Sequence, residues 1–155
     1  MDILFLADKV ELKPQVAKWY FEQWGNIIEN ASIALFEQQL DEYLNRDCMP
    51  LIVVALEGEQ MIGVAQLKYR EMSIYPDREH WLGGVFVAPK WRGKEVATAL
   101  VDRVEQAAKS IGIKELFLQT EALEGGLYKR VGWQNLERVT YCGVDVQVMS
   151  KRLTA

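Results

Sequence analysis

The chain has 155 residues, half of them apolar, with 18 basic against 22 acidic side chains and a formal charge of −4. That length fits one domain with a substantial core, and the charge leaves no basic footprint for a nucleic acid. Cys48, Cys142 and the lone His80 match neither a disulfide framework nor a metal-ligand spacing, so reduced thiols and no metal are expected. The start, Met-Asp-Ile-Leu-Phe-Leu-Ala-Asp, carries acid instead of a basic region, and its apolar run is too short for a signal sequence or a membrane span. The expectation is a soluble, cytoplasmic protein without a membrane partner.

Ile3 to Leu6 suit a short first strand. Lys13-Pro14, with Pro14 in a first helical turn and Gly25 just past the end, frame a helix with Val16, Trp19, Tyr20 and Trp24 on one face. Ser32 as N-cap opens a second helix carrying Phe36, Leu40, Tyr43 and Leu44 at helical spacing, and Pro50 stops the pattern. Leu51 to Leu56 is a continuous β-branched run, Glu57-Gly58-Glu59 a turn, and Met61 to Leu67 the returning strand of a hairpin. Tyr69 to Glu79 reads as a polar loop. Trp81 to Val87 is then the central strand, in which Gly83-Gly84 predicts a bulge or a close backbone approach. From Lys94 to Ile111, Leu100, Val101, Val104, Ala108 and Ile111 recur at three and four, and Gly112 terminates that helix. Glu115 to Gln119 forms the next strand, and Gly125 to Arg130 a short helix. Trp133 to Thr140 and Val144 to Met149 close as a hairpin around Cys142-Gly143, and the exposed stretch from Tyr141 to Lys151 is placed to pair across a homodimer.

Between the central strand and the long helix runs Val85-Phe86-Val87-Ala88-Pro89-Lys90-Trp91-Arg92-Gly93-Lys94-Glu95-Val96-Ala97-Thr98-Ala99. A strand that breaks sharply into a helix start presents free backbone N–H groups and the positive end of the helix dipole, which together hold anions. Arg92 adds a fixed cation. This order resembles the coenzyme-A signature of the GNAT superfamily of N-acetyltransferases, and the element order agrees with that family over nearly the whole chain. The resemblance implies an α/β fold, with a central mixed sheet of about six or seven strands flanked by helices, as one domain over residues 1–155. It also implies acetyl-CoA as cosubstrate, with no metal. The pyrophosphate falls to the turn formed by Arg92, Gly93, Lys94, Glu95, Val96, Ala97 and Thr98. The pantetheine arm falls to the segment Val85, Phe86 and Val87, where the strand splays; the backbone of Val85 and Val87 binds while Phe86 alternates to the other face. One position departs from the family pattern: its usual middle glycine is Glu95. A carboxylate there either favours the helix start, by about 0.3 to 1 kcal/mol, or repels the diphosphate.

A second marker, Gly126-Leu127-Tyr128-Lys129-Arg130-Val131-Gly132-Trp133, looks like the family's Leu-Tyr-x-x-x-Gly-Phe/Trp stretch. The resemblance implies that Tyr128 lies near the thioester sulfur as general acid for the leaving thiolate. The family's asparagine seven residues earlier is Glu121 here, and no role is carried to it. An attacking amine needs a base; Glu71, Asp77, Glu79 and His80 all border the central strand, and Glu79 is the first choice. The oxyanion would be met by a backbone N–H of that strand, most simply Val87. An acidic chain with carboxylates over 71–79 and 32–47 favours a cationic acceptor, a small molecule or peptide bearing a primary amine. The expected activity is therefore acetyl transfer from acetyl-CoA directly to that amine. A coenzyme-A-binding sensor with little turnover is the alternative, and Glu95 is what motivates it.

Overall fold

The computed structural model describes residues 1–28 and 30–153; the last two positions of the expected 1–155 domain lie outside the described residues. Among the described residues seven strands form one sheet in the order β1-β2-β3-β4-β5-β7-β6. They are β1 (Asp2–Phe5), β2 (Leu51–Glu57), β3 (Gln60–Tyr69), β4 (His80–Val87), β5 (Glu115–Thr120), β6 (Gln134–Tyr141) and β7 (Val144–Arg152). Neighbours pair antiparallel except β4 and β5, which run parallel. The sheet is therefore mixed and helix-flanked, as the sequence led one to expect.

Helices cover both faces. On one lies α3 (Val96–Ile111), whose Val96, Leu100, Val101, Val104 and Ala108 pack on Leu51, Val53, Ile62, Leu67 and Leu82. On the other, α1 (Lys13–Trp24) and α2 (Ile33–Gln39) bury Val16, Tyr20, Phe36 and Leu40 against Ile52, Val54 and Val64. Each such aliphatic or aromatic side chain removed from water contributes about 1.5–3 kcal/mol, which is why the period-2 and period-3.6 patterns place the elements so firmly. Among the described residues, no helix covers this second face towards β5, β7 and β6. The loop after β3 covers it instead, burying Met72 and Trp81 with Val146 and Val148.

Element limits differ from the sequence reading for local reasons. Leu6 leaves the first strand for a 3-10 turn, and α2 tightens into 3-10 geometry over Leu40–Tyr43. β3 runs on to Tyr69, because His80 of β4 is there to pair with it. Helix α3 starts at Val96 instead of Lys94, since Glu95 adopts φ 66° and ψ 15°, a left-handed conformation that no helix continues through. Ser32 does cap α2, its hydroxyl accepting from Leu35 N–H at 3.1 Å, and Gly112 ends α3 with φ 98°.

Candidate functional site

The site begins with a seam that fails to close. Among the described residues, β4 and β5 share one register pair, Trp81 with Phe117, and beyond it the two strands part. On its other edge β4 stays paired with β3, but the register shifts between Val64 and Gln66 where Gly84 takes φ 55°. That is the bulge foreseen at Gly83-Gly84. Tyr20 of α1 clamps it, donating its phenol O–H to Gly84 O at 2.7 Å. Downstream of the bulge Phe86 pairs with Val64, and Ala88 N–H donates to Ile62 O at 2.9 Å. By strand alternation the N–H groups of Val85 and Val87 therefore face the open seam. The side chains divide as expected: Val85 and Val87 join the α3 core, and Phe86 joins the α1 face against Trp19, 5.2 Å between ring centroids.

At the far end of the seam lies the turn into α3. A cleft there is lined by Val87, Arg92, Gly93, Glu95, Val96, Ala97, Thr98, Leu127 and Arg130. The N–H groups of the first helical turn have no partner within the helix and point into solvent. Arg92 is anchored by Nε, which donates to Val87 O at 2.9 Å, with the guanidinium over the Phe86 ring at 5.5 Å. The Val87 carbonyl is thus already occupied, leaving its N–H for a ligand. Lys94 turns aside, its Nζ 5.3 Å from the Trp91 ring centroid. Glu95 makes no side-chain cap bond and holds a left-handed backbone, so the carboxylate does not cap the helix start. Arg130 of the short helix α4 (Gly126–Arg130) is a second cation at this cleft, one the turn motif did not name.

Two chemistry-bearing side chains, Tyr128 and Glu71, lie within Coulombic reach of each other. Tyr128 is half-buried against the α3 core, edge-on to Trp133 at 6.3 Å, and its hydroxyl has no protein hydrogen-bond partner among the described residues. Trp133 is in turn fixed by donating Nε1–H to Glu105 at 3.2 Å, and Lys151 pairs with that same carboxylate at 2.8 Å. Burial and the Glu71 charge push the Tyr128 phenol up to about 12, so it stays protonated across the physiological range. Glu71 comes from the covering loop and lies across β4: a Cβ on Gly83 would fall 2.9 Å from its Oε1. Burial raises its carboxyl above the ordinary carboxylate range, opposed by Lys68 and by the Gln119 side chain of β5 beside it. Tyr20 and Tyr43 both feel the Glu71 charge, their phenols raised chiefly by burial. Glu79 sits elsewhere, exposed and paired with Arg70 at 3.3 Å. His80 lies 6.0 Å from the Tyr69 ring.

The model of the Acetyltransferase (GNAT) family matches residues 13–133. The chain belongs to this family. Among solved structures, the GNAT chain superposes on an aminoglycoside 6'-acetyltransferase type Ii with a TM-score of 0.75, at 18% identity and over 100% of this chain and 99% of that one. An aminoglycoside 6'-N-acetyltransferase complexed with coenzyme A gives 0.76 at 14% identity, with 100% and 98% covered. A ribosomal-protein-alanine N-acetyltransferase from Brucella melitensis gives 0.77 at 21%, with 99% and 100% covered. These likenesses bear on the fold. No curated protein matches the sequence. The GNAT family uses acetyl-CoA. No helix among the described residues is long and apolar enough to cross a membrane.

Proposed function

We propose that this GNAT chain transfers the acetyl group of acetyl-CoA directly to a primary amine, with Glu71 as general base and Tyr128 as general acid. The observation that carries the assignment is placement: Glu71 Oε1 lies where a Cβ on Gly83 of β4 would be 2.9 Å away, on the α1 side, and Tyr128 packs on the α3 core within reach of the Glu71 charge. The diphosphate is held by the N–H groups of Val96, Ala97 and Thr98 with Arg92, Gly93 and Arg130. Lys94 and Glu95 border that turn, and the Val85 and Val87 N–H groups hydrogen-bond the extended arm as an added strand would. Glu71 takes a proton from the ammonium form of the acceptor. The freed nitrogen lone pair attacks the thioester carbon, the N–C bond forms, and the negative charge collects on the former carbonyl oxygen. Collapse then breaks the C–S bond as Tyr128 gives its proton to the departing sulfur; the new amide nitrogen loses its extra proton to solvent, solvent reprotonates the phenolate, and Glu71 releases the proton it took. The products are the amide and the free thiol.

Glu71 takes the role in preference to Glu79 because only the former reaches the seam; Glu79 is spent on an exposed pair with Arg70. The acceptor is a cationic amine on a small molecule or peptide. The Tyr43 phenol feels the charges of both Glu42 and Glu71, which favours a cation approaching beside them. The free thiols Cys48 and Cys142 fit a cytoplasmic setting. The exposed outer edge of β6 offers a place for a second copy. The test is thiol release from acetyl-CoA with spermidine, an amino sugar and a short peptide as acceptors. Glu71→Gln and Tyr128→Phe should each lower kcat by about 10²-fold or more, and Glu79→Gln should stay within about two-fold. Full activity in Glu71→Gln would overturn the assignment of the base.

A further inference from the structure

The Glu71 carboxylate does not stand alone over the seam. Lys68, on β3 and three residues earlier, places its Nζ 3.6 Å from Glu71 Oε1, and both side chains are largely screened from water, 26% and 17% exposed. Its stem crosses β4 at the same glycine that admits the carboxylate: a Cβ on Gly83 would fall 2.8 Å from Lys68 Cδ and 2.9 Å from Glu71 Oε1. Two side chains from different elements therefore pass through the space that one missing methyl leaves. Gln119 of β5 lies against the carboxylate from the other side of the seam. An ordinary surface ion pair would need none of this, since exposed pairs stabilise little and lie where solvent is free.

We propose that Lys68 is a positioning residue for the transfer reaction, holding the Glu71 carboxylate over the vertex of the β4/β5 seam and keeping it charged there until the acceptor arrives. This rests on the reading of Glu71 as base. The physical case is a balance. A carboxylate covered by α1, the loop and β5 tends to keep its proton, and a carboxylic acid cannot deprotonate an ammonium group. The other titratable groups facing it are the phenols of Tyr20 from α1, Tyr43 from the turn after α2, and Tyr128 from α4, all neutral and each raised further by the Glu71 charge. None of them offsets burial. Among the described residues Lys68 supplies the opposite charge within reach, and opposite charges at this range favour the ionised form. An acceptor ammonium entering beside Glu71 meets a carboxylate already shared with another cation, which weakens ground-state trapping of the substrate as a salt.

The test reads Glu71 itself, so it needs no acceptor. Carboxyl-carbon NMR of labelled protein against pH, with Glu71→Gln to assign the signal, gives the Glu71 titration midpoint directly. Lys68→Met should move that midpoint to higher pH by about one unit, the low end for an opposite charge at about 4–6 Å, and Lys68→Arg should restore it. In the thiol-release assay with the acceptor that works best, Lys68→Met should lose about ten-fold in kcat/KM below the midpoint and recover on the high-pH plateau. Binding of acetyl-CoA by calorimetry and the melting temperature should stay close to wild type, excluding misfolding. A Glu71 midpoint that does not move in Lys68→Met overturns this inference while leaving the base assignment intact. Full activity of Glu71→Gln overturns the base assignment, and this inference with it.

Discussion

Glu95 is where sequence and backbone disagree most, and its replacement by glycine makes a prediction with a worked size. The residue holds φ 66° at the lip of the diphosphate turn, is exposed, and has no side-chain bond at the helix start. A non-glycine residue in that conformation costs about 1–2 kcal/mol. Glycine loses about 0.5–1 kcal/mol more in ordering, and the carboxylate's interaction with the helix dipole is worth about 0.3 kcal/mol at the exposed end of its range. The three terms nearly cancel, so the melting temperature of Glu95→Gly should move by no more than about 2 °C. Affinity should respond instead. Two diphosphate charges about 6 Å from the carboxylate meet about 0.7 kcal/mol each in water, about ten-fold in Kd together. At about 0.15 M salt, where the Debye length is about 8 Å, roughly three-fold survives. Calorimetric titration of coenzyme A into both proteins at low and physiological salt measures this. An unchanged or weaker affinity in Glu95→Gly at both salts would refute the electrostatic account of this position.

Three further outcomes follow from the geometry of the seam. Gly83→Ala should push Glu71 and Lys68 out of place, lowering kcat about ten-fold or more while leaving coenzyme titrations unchanged; normal turnover would mean the carboxylate does not work from where it lies. Tyr20→Phe removes the 2.7 Å hydrogen bond to Gly84 O and leaves that carbonyl unpaired, costing about 1–3 kcal/mol. Thermal unfolding should record a drop of roughly 3–10 °C, and an unaltered melting point would mean that water replaces the phenol. The general acid must be protonated to act, and Tyr128 is raised from 10.0 to about 12. The rate should therefore hold level through pH 10 instead of falling there; an alkaline decline centred near the ordinary phenol value would assign the acid elsewhere.

Much of this architecture is legible in the sequence. The apolar run Leu51–Leu56, the 3.6-period stripe from Leu100 to Ile111 and the Arg92-Gly93 break fix the sheet, the long helix and the turn between them, because burial and helix termination are local signals. The Gly83-Gly84 pair announced an irregular strand, and it is the bulge held by Tyr20. The assignment of a base was less legible. Glu71, Asp77, Glu79 and His80 look alike in sequence; Glu71 is singled out only by folding back across Gly83, a contact between β4 and a loop that no periodicity encodes. The places of Arg130 at the cleft and Gln119 beside Glu71 are tertiary contacts of the same kind. The hint available was the spacing of Lys68 and Glu71 at the end of a buried strand, where two opposite charges face inward together.

The most direct test of the open seam is amide exchange on nitrogen-labelled protein, with and without acetyl-CoA, read at Val85, Val87, Val96, Ala97 and Thr98. These N–H groups should exchange fast alone, then shift and become protected together when the coenzyme is added. Saturable binding that leaves the Val85 and Val87 amides unprotected would place the coenzyme outside the β4/β5 seam, and no binding at all would contradict the acetyltransferase reading of this GNAT chain.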